Sequence, residues 1–374
     1  MSTTEEQTQT TPTSPVAPKS GRSGDAREMA ITGGRLKKFT WVGMLVLSVL
    51  VAGGILAVLG SFSLPATLAL GALVFLGSMF ALSAAVEGIR PAKDRLVQYL
   101  VTTFFLLVLL PLGSLVYEVL TRGLARFDWR FFTETQAQTH VLEATLGAQH
   151  AIVGSLLITG LAVLISVPIG IFAAIYLVEY GATSRLAFGI RFFVDVMTGI
   201  PSIVAGLFAY TMFSILLGPG SRTGLAGAVA LSVLMIPTVV RSTEEMLKLV
   251  PNELREASYA LGVPKWRTIV RVVLPTSLAG IVTGIVLGIA RIIGETAPLL
   301  VTAGYYLRMN TNPFEGPLST LPVLVYQSLR IHGPRADDLH ALGWTGALVL
   351  ILIVMALNLI GRFIALKYAP KPGR

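Results

Sequence analysis

Eight apolar runs, each long enough to cross a bilayer as a helix, dominate this sequence of 374 residues. A hydrocarbon core about 30 Å thick needs about 20 residues of helix. The runs lie near residues 40–60, 64–86, 98–119, 151–178, 189–217, 223–241, 274–302 and 343–365. Only 13% of the residues are charged, about half the share of a soluble domain. We therefore predict an all-α integral membrane protein with eight transmembrane helices.

The chain divides by composition into four segments. Residues 1–38 are rich in Thr, Ser, Pro and Gln without the apolar core of a signal peptide, so we predict a disordered tail. Residues 39–96 hold the first two runs, separated by a four-residue turn, and are predicted to form a transmembrane hairpin and a linker. Residues 97–366 hold the other six runs, and residues 367–374 form a short C-terminal tail.

Basic residues between the runs indicate the orientation, because Lys and Arg are enriched in cytoplasmic loops. With eight spans, most basic clusters fall on one side, which places both termini in the cytoplasm. These clusters contain Arg35, Lys37, Lys38, Arg90, Lys93, Arg95, Arg185, Arg191, Arg241, Lys248, Arg255, Lys265, Arg267, Arg271, Lys367, Lys371 and Arg374. Since the formal charge of +9 lies beside apolar runs, we do not predict nucleic-acid binding. The chain lacks cysteine, and its histidines show no metal-ligand spacing, so we predict no metal site and no catalytic site.

One loop, between the sixth and seventh runs, has the signals of a short helix. Asn252 is a favourable N-cap with Glu253 in the first turn, Gly262 suits a left-handed C-terminal position, and Pro264 prevents continuation. A second amphipathic segment covers residues 265–272. Small residues let another surface approach such a helix, but an amphipathic helix lying on the inner leaflet is an alternative.

The loop resembles the coupling loop of ABC importer permeases. That family has the pattern Glu-Ala-Ala, three residues, Gly, nine residues, Ile, one residue, Leu-Pro. The matching residues here are Glu256, Ala257, Ser258, Gly262, Val272, Leu274 and Pro275. Ser258 replaces the second Ala and Val272 replaces Ile, both close in size. The resemblance implies that this helix docks on an ATP-hydrolysing subunit, so that closure of the ATPases rocks the spans between outward-open and inward-open states.

Charges inside the predicted spans indicate a polar pathway, because a charge at the bilayer centre costs about 2.5–3.5 kcal/mol. Arg291 and Glu295 in the seventh run, and Arg191 and Asp195 in the fifth, each lie four residues apart and are predicted to share a helical face. Arg291 could donate bidentate hydrogen bonds to a tetrahedral oxyanion, with Glu295 holding the guanidinium and Thr296 adding a hydroxyl. An intrahelical ion pair that only fixes packing is the alternative.

The segment 290–300 resembles the signature of phosphate-specific permeases of the PstA type, and the stretch around Pro201 and Ser202 is similar to the same family. Pro201 would break a helix within the fifth span, either to line a pore or as a packing kink. The resemblance covers residues 98–366 and implies a six-helix type I ABC importer permease core, with the N-terminal hairpin outside it.

The resemblance also implies the partners. They are a PstC-type permease, two ATPase subunits, an extracytoplasmic phosphate-binding protein and membrane lipid. The chain has no Gly-x-x-x-x-Gly-Lys-Ser/Thr phosphate loop, so we expect it to bind no cofactor, with ATP and Mg²⁺ on the partner ATPases. Alternatives are a permease for another oxyanion (phosphonate, sulfate or molybdate), a secondary transporter or channel, and a phosphate-sensing membrane scaffold.

Overall fold

The computed structural model describes residues 36–37, 39–138, 146–181 and 184–368, and the predicted tails lie largely outside this range. The described residues form helices and loops without a β-strand. They belong to two compact units, Met1–Ser114 and Leu115–Arg374, so the division falls within a helix, whereas the predicted core begins at residue 97. The α-helices are α1 (Thr40–Val58), α2 (Leu64–Val86), α3 (Ile89–Gly123), α4 (Trp129–Thr133), α5 (Gln149–Ile175), α6 (Arg185–Gly199), α7 (Ser202–Leu217), α8 (Gly224–Lys248), α9 (Asn252–Ala260), α10 (Lys265–Thr268), α11 (Leu274–Ile293), α12 (Ala297–Thr302), α13 (Leu321–Arg330) and α14 (Ala336–Tyr368).

Each predicted apolar run coincides with a membrane-length helix or a bent pair of helices. Across the described residues, seven helical stretches are long and apolar enough to cross a membrane, and α6 with α7 gives an eighth span if the bent pair is counted as one. The seventh run was predicted to be helical as far as residue 302. Instead, α11 ends at Ile293, and a separate short helix follows from Ala297.

The first unit contains the predicted hairpin. Ser63 caps α2 by accepting a hydrogen bond from the Ala66 amide at 3.4 Å, and Gly60 adopts a left-handed conformation with φ 68° in the turn. A Cβ on Gly71 would lie 3.3 Å from the Val49 backbone, so the missing side chain lets α1 and α2 pack closely.

The core of the second unit lies around α8, which packs against both α5 and α11. Glycines spaced four residues apart on α11 face α8: a Cβ on Gly280 would clash with Met246, and one on Gly284 with Ser242. Since residue numbers rise on one helix as they fall on the other, α8 and α11 are antiparallel. This register fixes the relative levels of charged residues on the two helices.

Candidate functional site

The predicted coupling helix is α9, with boundaries close to those expected. Its N-cap is Pro251 rather than Asn252, which is the first helical residue. The Asn252 side chain does not cap the helix and instead accepts a hydrogen bond from the Arg255 guanidinium at 3.4 Å. At the other end Gly262 has φ 76°, the left-handed conformation that its position predicted. Helix α10 continues through a π-helical turn, Ile269–Val273, directly into α11.

Arg255 joins α9 to two long helices. Its Nε and Nη2 atoms donate to Glu179 Oε1 at 3.1 and 2.9 Å. Its guanidinium also donates to the Val250 carbonyl at 2.5 Å and the Leu247 carbonyl at 2.9 Å, at the end of α8. Glu179 lies in the π-helical turn that ends α5. Because the side chains of Arg255 and Glu179 are only 12% and 5% exposed, this ion pair is a buried clamp at the base of the coupling helix.

The rest of α9 and the start of α10 present an uncovered surface, which we call the coupling face (Leu254, Glu256, Leu261 and Trp266). Leu261 is 83% exposed and Trp266 57% exposed. Ser258, expected to admit a partner, instead faces inward and shares a 2.8 Å hydrogen bond with Thr268. The small residue at this position therefore serves the packing of α9 on α10.

Arg291 and Glu295 do not share a helical face, contrary to the prediction. The helix ends between them, at Ile293, and Glu295 lies in the short break before α12. Arg291 is exposed, Glu295 and Thr296 are half-buried, and neither charge forms an ion pair with any residue that the structure describes. The intrahelical ion pair considered as an alternative is therefore absent from the described structure.

Pro201 produces a bend of 108° between α6 and α7, far more than a packing kink. It acts as the N-cap of α7, and Ser202 is the first helical residue. A Cβ on Gly206 would lie 2.6 Å from Pro298 Cα, so α7 contacts α12 directly after the break that holds Glu295. The tertiary structure thus joins the two segments that resemble phosphate-specific permeases.

Arg191 and Asp195 form a different cluster from Arg291. Arg191 contacts Glu244 at 3.3 Å, and Arg241 contacts Asp195 at 2.6 Å. Both pairs line a cavity of about 180 Å³ between α6 and α8. Arg241 precedes Ser242, which faces Gly284 on α11.

The register of α8 and α11 separates the two clusters along the bundle. Arg291 is seven residues beyond Gly284 along α11, a rise of about 10 Å. The ion pairs of α6 therefore lie nearer than Arg291 to the end of the bundle that carries the coupling helix.

The sequence analysis did not predict three ion-pair partners. Glu179 pairs with Arg255, Arg241 pairs with Asp195, and Glu244 pairs with Arg191. The first pair is 76 residues apart in sequence, and the others are 46 and 53 apart. No spacing signal could have found them, because a helical period relates only residues within a few turns.

Known proteins share both the sequence and the fold. Residues 166–372 match the family described as "Binding-protein-dependent transport system inner membrane component". The chain is 44% identical over 285 residues to "Phosphate transport system permease protein PstA 1" of Mycobacterium tuberculosis (strain CDC 1551 / Oshkosh), a match that covers 74% of this chain and 90% of that protein. It is 41% identical over 278 residues to the Yersinia pestis protein named "Phosphate transport system permease protein PstA", covering 74% of this chain and 92% of that protein. The chain belongs to the PstA family.

PstA-family membership confirms the predicted ABC importer permease and its all-α membrane fold. Among solved structures, one chain of a bacterial ABC transporter involved in the import of the acidic polysaccharide alginate superposes with a TM-score of 0.52 at 17% identity, covering 73% of this chain and 96% of that chain. This likeness supports the type I ABC permease fold alone. About a quarter of the chain lies outside the matches to the PstA relatives.

Proposed function

We propose that this PstA-family chain forms half of the pathway of an ATP-driven importer for inorganic phosphate. The observation that carries the proposal is the Arg291 guanidinium, which is exposed at the end of a membrane-length helix and has no ion-pair partner among the described residues. A lipid-facing arginine costs about 2.5–3.5 kcal/mol at the bilayer centre and less near the interface. A water-filled pathway shared with a second permease subunit removes that cost.

Arg291 suits a tetrahedral oxyanion because its planar guanidinium donates two parallel hydrogen bonds to a pair of oxygens. Glu295 and Thr296 follow in the helix break, where the Glu295 amide donates to the Ile292 carbonyl at 3.1 Å and the Thr296 carbonyl accepts from the Leu300 amide at 3.0 Å. In our proposal Thr296 adds a hydroxyl donor, and Glu295 pairs with the guanidinium in another conformation of the transport cycle, since the two are unpaired among the described residues. Glu295 would thereby keep the charge balanced before and after passage.

The remaining proposed pathway residues lie on α6 and at its junction with α7. Pro201 and Ser202 lie at the bend that leads into α7, beside the segment carrying Glu295. Arg191 and Asp195 pair with α8 in the cavity between α6 and α8. We propose that these ion pairs hold α6 against α8 and exchange partners when the pathway opens towards the cytoplasm.

The coupling face would dock in a groove of a partner ATPase subunit, which binds ATP and Mg²⁺ while this chain binds no cofactor. Within it, Leu261 and Trp266 supply apolar contact and Glu256 supplies a hydrogen-bond acceptor. Ala257 keeps the helix narrow, and Gly262 ends it. Leu274 and Pro275 are the first residues of α11. The complete importer would combine a PstC-type permease, two ATPase subunits and an extracytoplasmic phosphate-binding protein.

Docking of cytoplasmic ATPases requires α9 and both termini to lie in the cytoplasm. The basic residues around α9 and before α1 support this orientation through the positive-inside rule. Cysteine accessibility in intact cells tests it: Leu261→Cys should resist impermeant thiol reagents until the cells are opened.

Radiolabelled phosphate uptake in proteoliposomes of the whole complex tests the proposal. Arg291→Ala should abolish uptake while the complex assembles, and Arg291→Lys should restore little because a point charge lacks the bidentate geometry. Arg308→Ala, an exposed arginine of the loop after α12, is the matched control and should transport normally. Normal uptake by Arg291→Ala would refute the proposed role.

Competition separates the alternative substrates and mechanisms. Excess sulfate, molybdate or phosphonate should not reduce uptake, whereas inhibition by one of them would identify that oxyanion as the substrate. Transport without the ATPase subunits would indicate a secondary transporter or channel. No transport by the intact complex under any condition would favour a sensing scaffold.

A further inference from the structure

The first unit contains a long apolar groove between its hairpin and the start of α3. The groove has a volume of about 990 Å³, and Trp41, Phe75 and Leu106 are among its lining residues. Its α3 wall extends from Gln98 to Pro111, a rise of about 20 Å. This length exceeds one leaflet of hydrocarbon, about 15 Å from a core of about 30 Å. The groove is therefore deep enough for lipid acyl chains.

The walls of the groove offer little for a polar ligand. Two of its aromatic lining residues, Phe75 and Tyr99, make an edge-to-face contact with ring centroids 5.3 Å apart. The Thr102 hydroxyl points back to its own helix and donates to the Gln98 carbonyl at 2.8 Å. The groove thus selects a long, flexible, apolar occupant.

A hydrogen-bonded junction beside Trp41 and Gln98 joins the three helices of this unit. Glu87 Oε1 accepts from the Leu36 amide at 2.7 Å and from Arg95 Nη2 at 2.8 Å, and its other oxygen accepts from Ser83 at 3.1 Å. Arg95 is three residues before Gln98, so it lies on the groove side of α3. The junction therefore marks the mouth of the groove.

Exposed basic residues outnumber acidic ones near this mouth, where Asp94 lies between Lys93 and Arg95 in α3. Lys37, Arg90 and Lys93 are exposed, and none of them forms an ion pair with an acidic residue in the described part of the chain. In the sequence, Arg35 is two residues before Lys37 and Lys38 follows it. Clusters of four or more basic residues beside a transmembrane helix attract anionic lipid headgroups. The junction carboxylate cannot neutralise them, because Arg95 already occupies it.

We infer that the first unit binds an anionic phospholipid, with its acyl chains in the groove and its phosphate on Lys37, Arg90 and Lys93. Basic headgroup contacts at one end and an apolar groove running into the bilayer match the two halves of such a molecule. This site is independent of the transported anion and of Arg291. It gives the hairpin, which lies outside the six-helix permease core, a lipid-binding role.

Native mass spectrometry of the full complex, released from vesicles of equal phosphatidylglycerol and phosphatidylethanolamine, tests this inference. The intact complex should retain phosphatidylglycerol preferentially. Replacing Lys37, Arg90 and Lys93 with Gln should weaken retention about fivefold for each charge removed. The matched control replaces three exposed arginines of the second unit, Arg130, Arg308 and Arg335, with Gln and should retain the lipid.

A second variant tests the groove without changing charge. Ala69→Trp fills the groove, because Ala69 is one of its lining residues, and should displace the lipid. Ala81→Trp, on an exposed part of the same helix outside the groove, should not. Unchanged phosphatidylglycerol retention in both the triple variant and Ala69→Trp would overturn the inference. So would crosslinking of the Ala69→Cys variant to a helix of the partner permease, since a protein would then occupy the groove.

Discussion

Loss of the Glu179 carboxylate should both destabilise the second unit and uncouple it from ATP hydrolysis. Glu179 and Arg255 form a buried pair, 5% and 12% exposed. Removing one partner of such a pair costs about 3–5 kcal/mol, because the other charge stays buried. Two backbone carbonyls still bind Arg255, so we expect Glu179→Gln to cost about 3 kcal/mol, near the lower limit of that range.

This cost converts into a measurable change in melting temperature. For a unit of this size, the melting temperature falls by about 2–4 °C for each kcal/mol of unfolding free energy lost. Glu179→Gln should therefore lower the melting temperature of the purified complex, followed by tryptophan fluorescence, by about 6–12 °C. Arg255→Met should be at least as destabilising, since it leaves the carboxylate buried and unpaired. The double variant leaves no unpaired charge, so it should be less destabilised than the sum of the two, by about 1–3 kcal/mol.

The functional effect is measured as phosphate transported per ATP hydrolysed in proteoliposomes. Below its melting temperature, Glu179→Gln should keep most basal ATP hydrolysis but move fewer phosphate ions per ATP, because α9 can tilt without pulling α5. Glu118→Gln is the matched control, since Glu118 pairs with Arg122 in an exposed ion pair. A midpoint within 2 °C of wild type, together with an unchanged transport ratio, would refute the reasoning.

Substitutions at three further positions test other contacts. Gly206→Val should cost about 1–3 kcal/mol by overpacking and lower uptake, because its side chain would meet Pro298; an unchanged melting temperature would contradict this. Gly262→Ala should destabilise the turn that ends α9 by about 1–2 kcal/mol, because alanine disfavours the left-handed backbone of this position. The expected result is weaker co-purification of the ATPase subunits. Ser258→Ala should lower stability by about 1 kcal/mol, because it leaves Thr268 without its buried partner. Ser258→Thr keeps the hydroxyl but adds a methyl group, so it shows the effect of crowding separately from the effect of losing the hydrogen bond.

The sequence by itself determined the membrane-spanning fold and the position of α9, the proposed coupling helix. Both depend on local signals: apolar length specifies a span, and the proline and glycine around residues 251–264 specify a short helix between two turns. The bend at Pro201 was also readable in part, because a proline interrupts helical hydrogen bonding wherever it lies. The sequence could not predict the bend angle of 108°, because that angle depends on how the neighbouring helices pack.

The tertiary structure alone decided which charges meet. Spacing of four residues suggested that Arg291 shares a face with Glu295, but the helix stops between them, and Gly294 followed by Pro298 was the local signal for that stop. Asp195 pairs with Arg241, and Glu179 with Arg255, across gaps of 46 and 76 residues. Helical periodicity carries no information over such separations, since these contacts exist only once α5, α6, α8 and α9 have packed together.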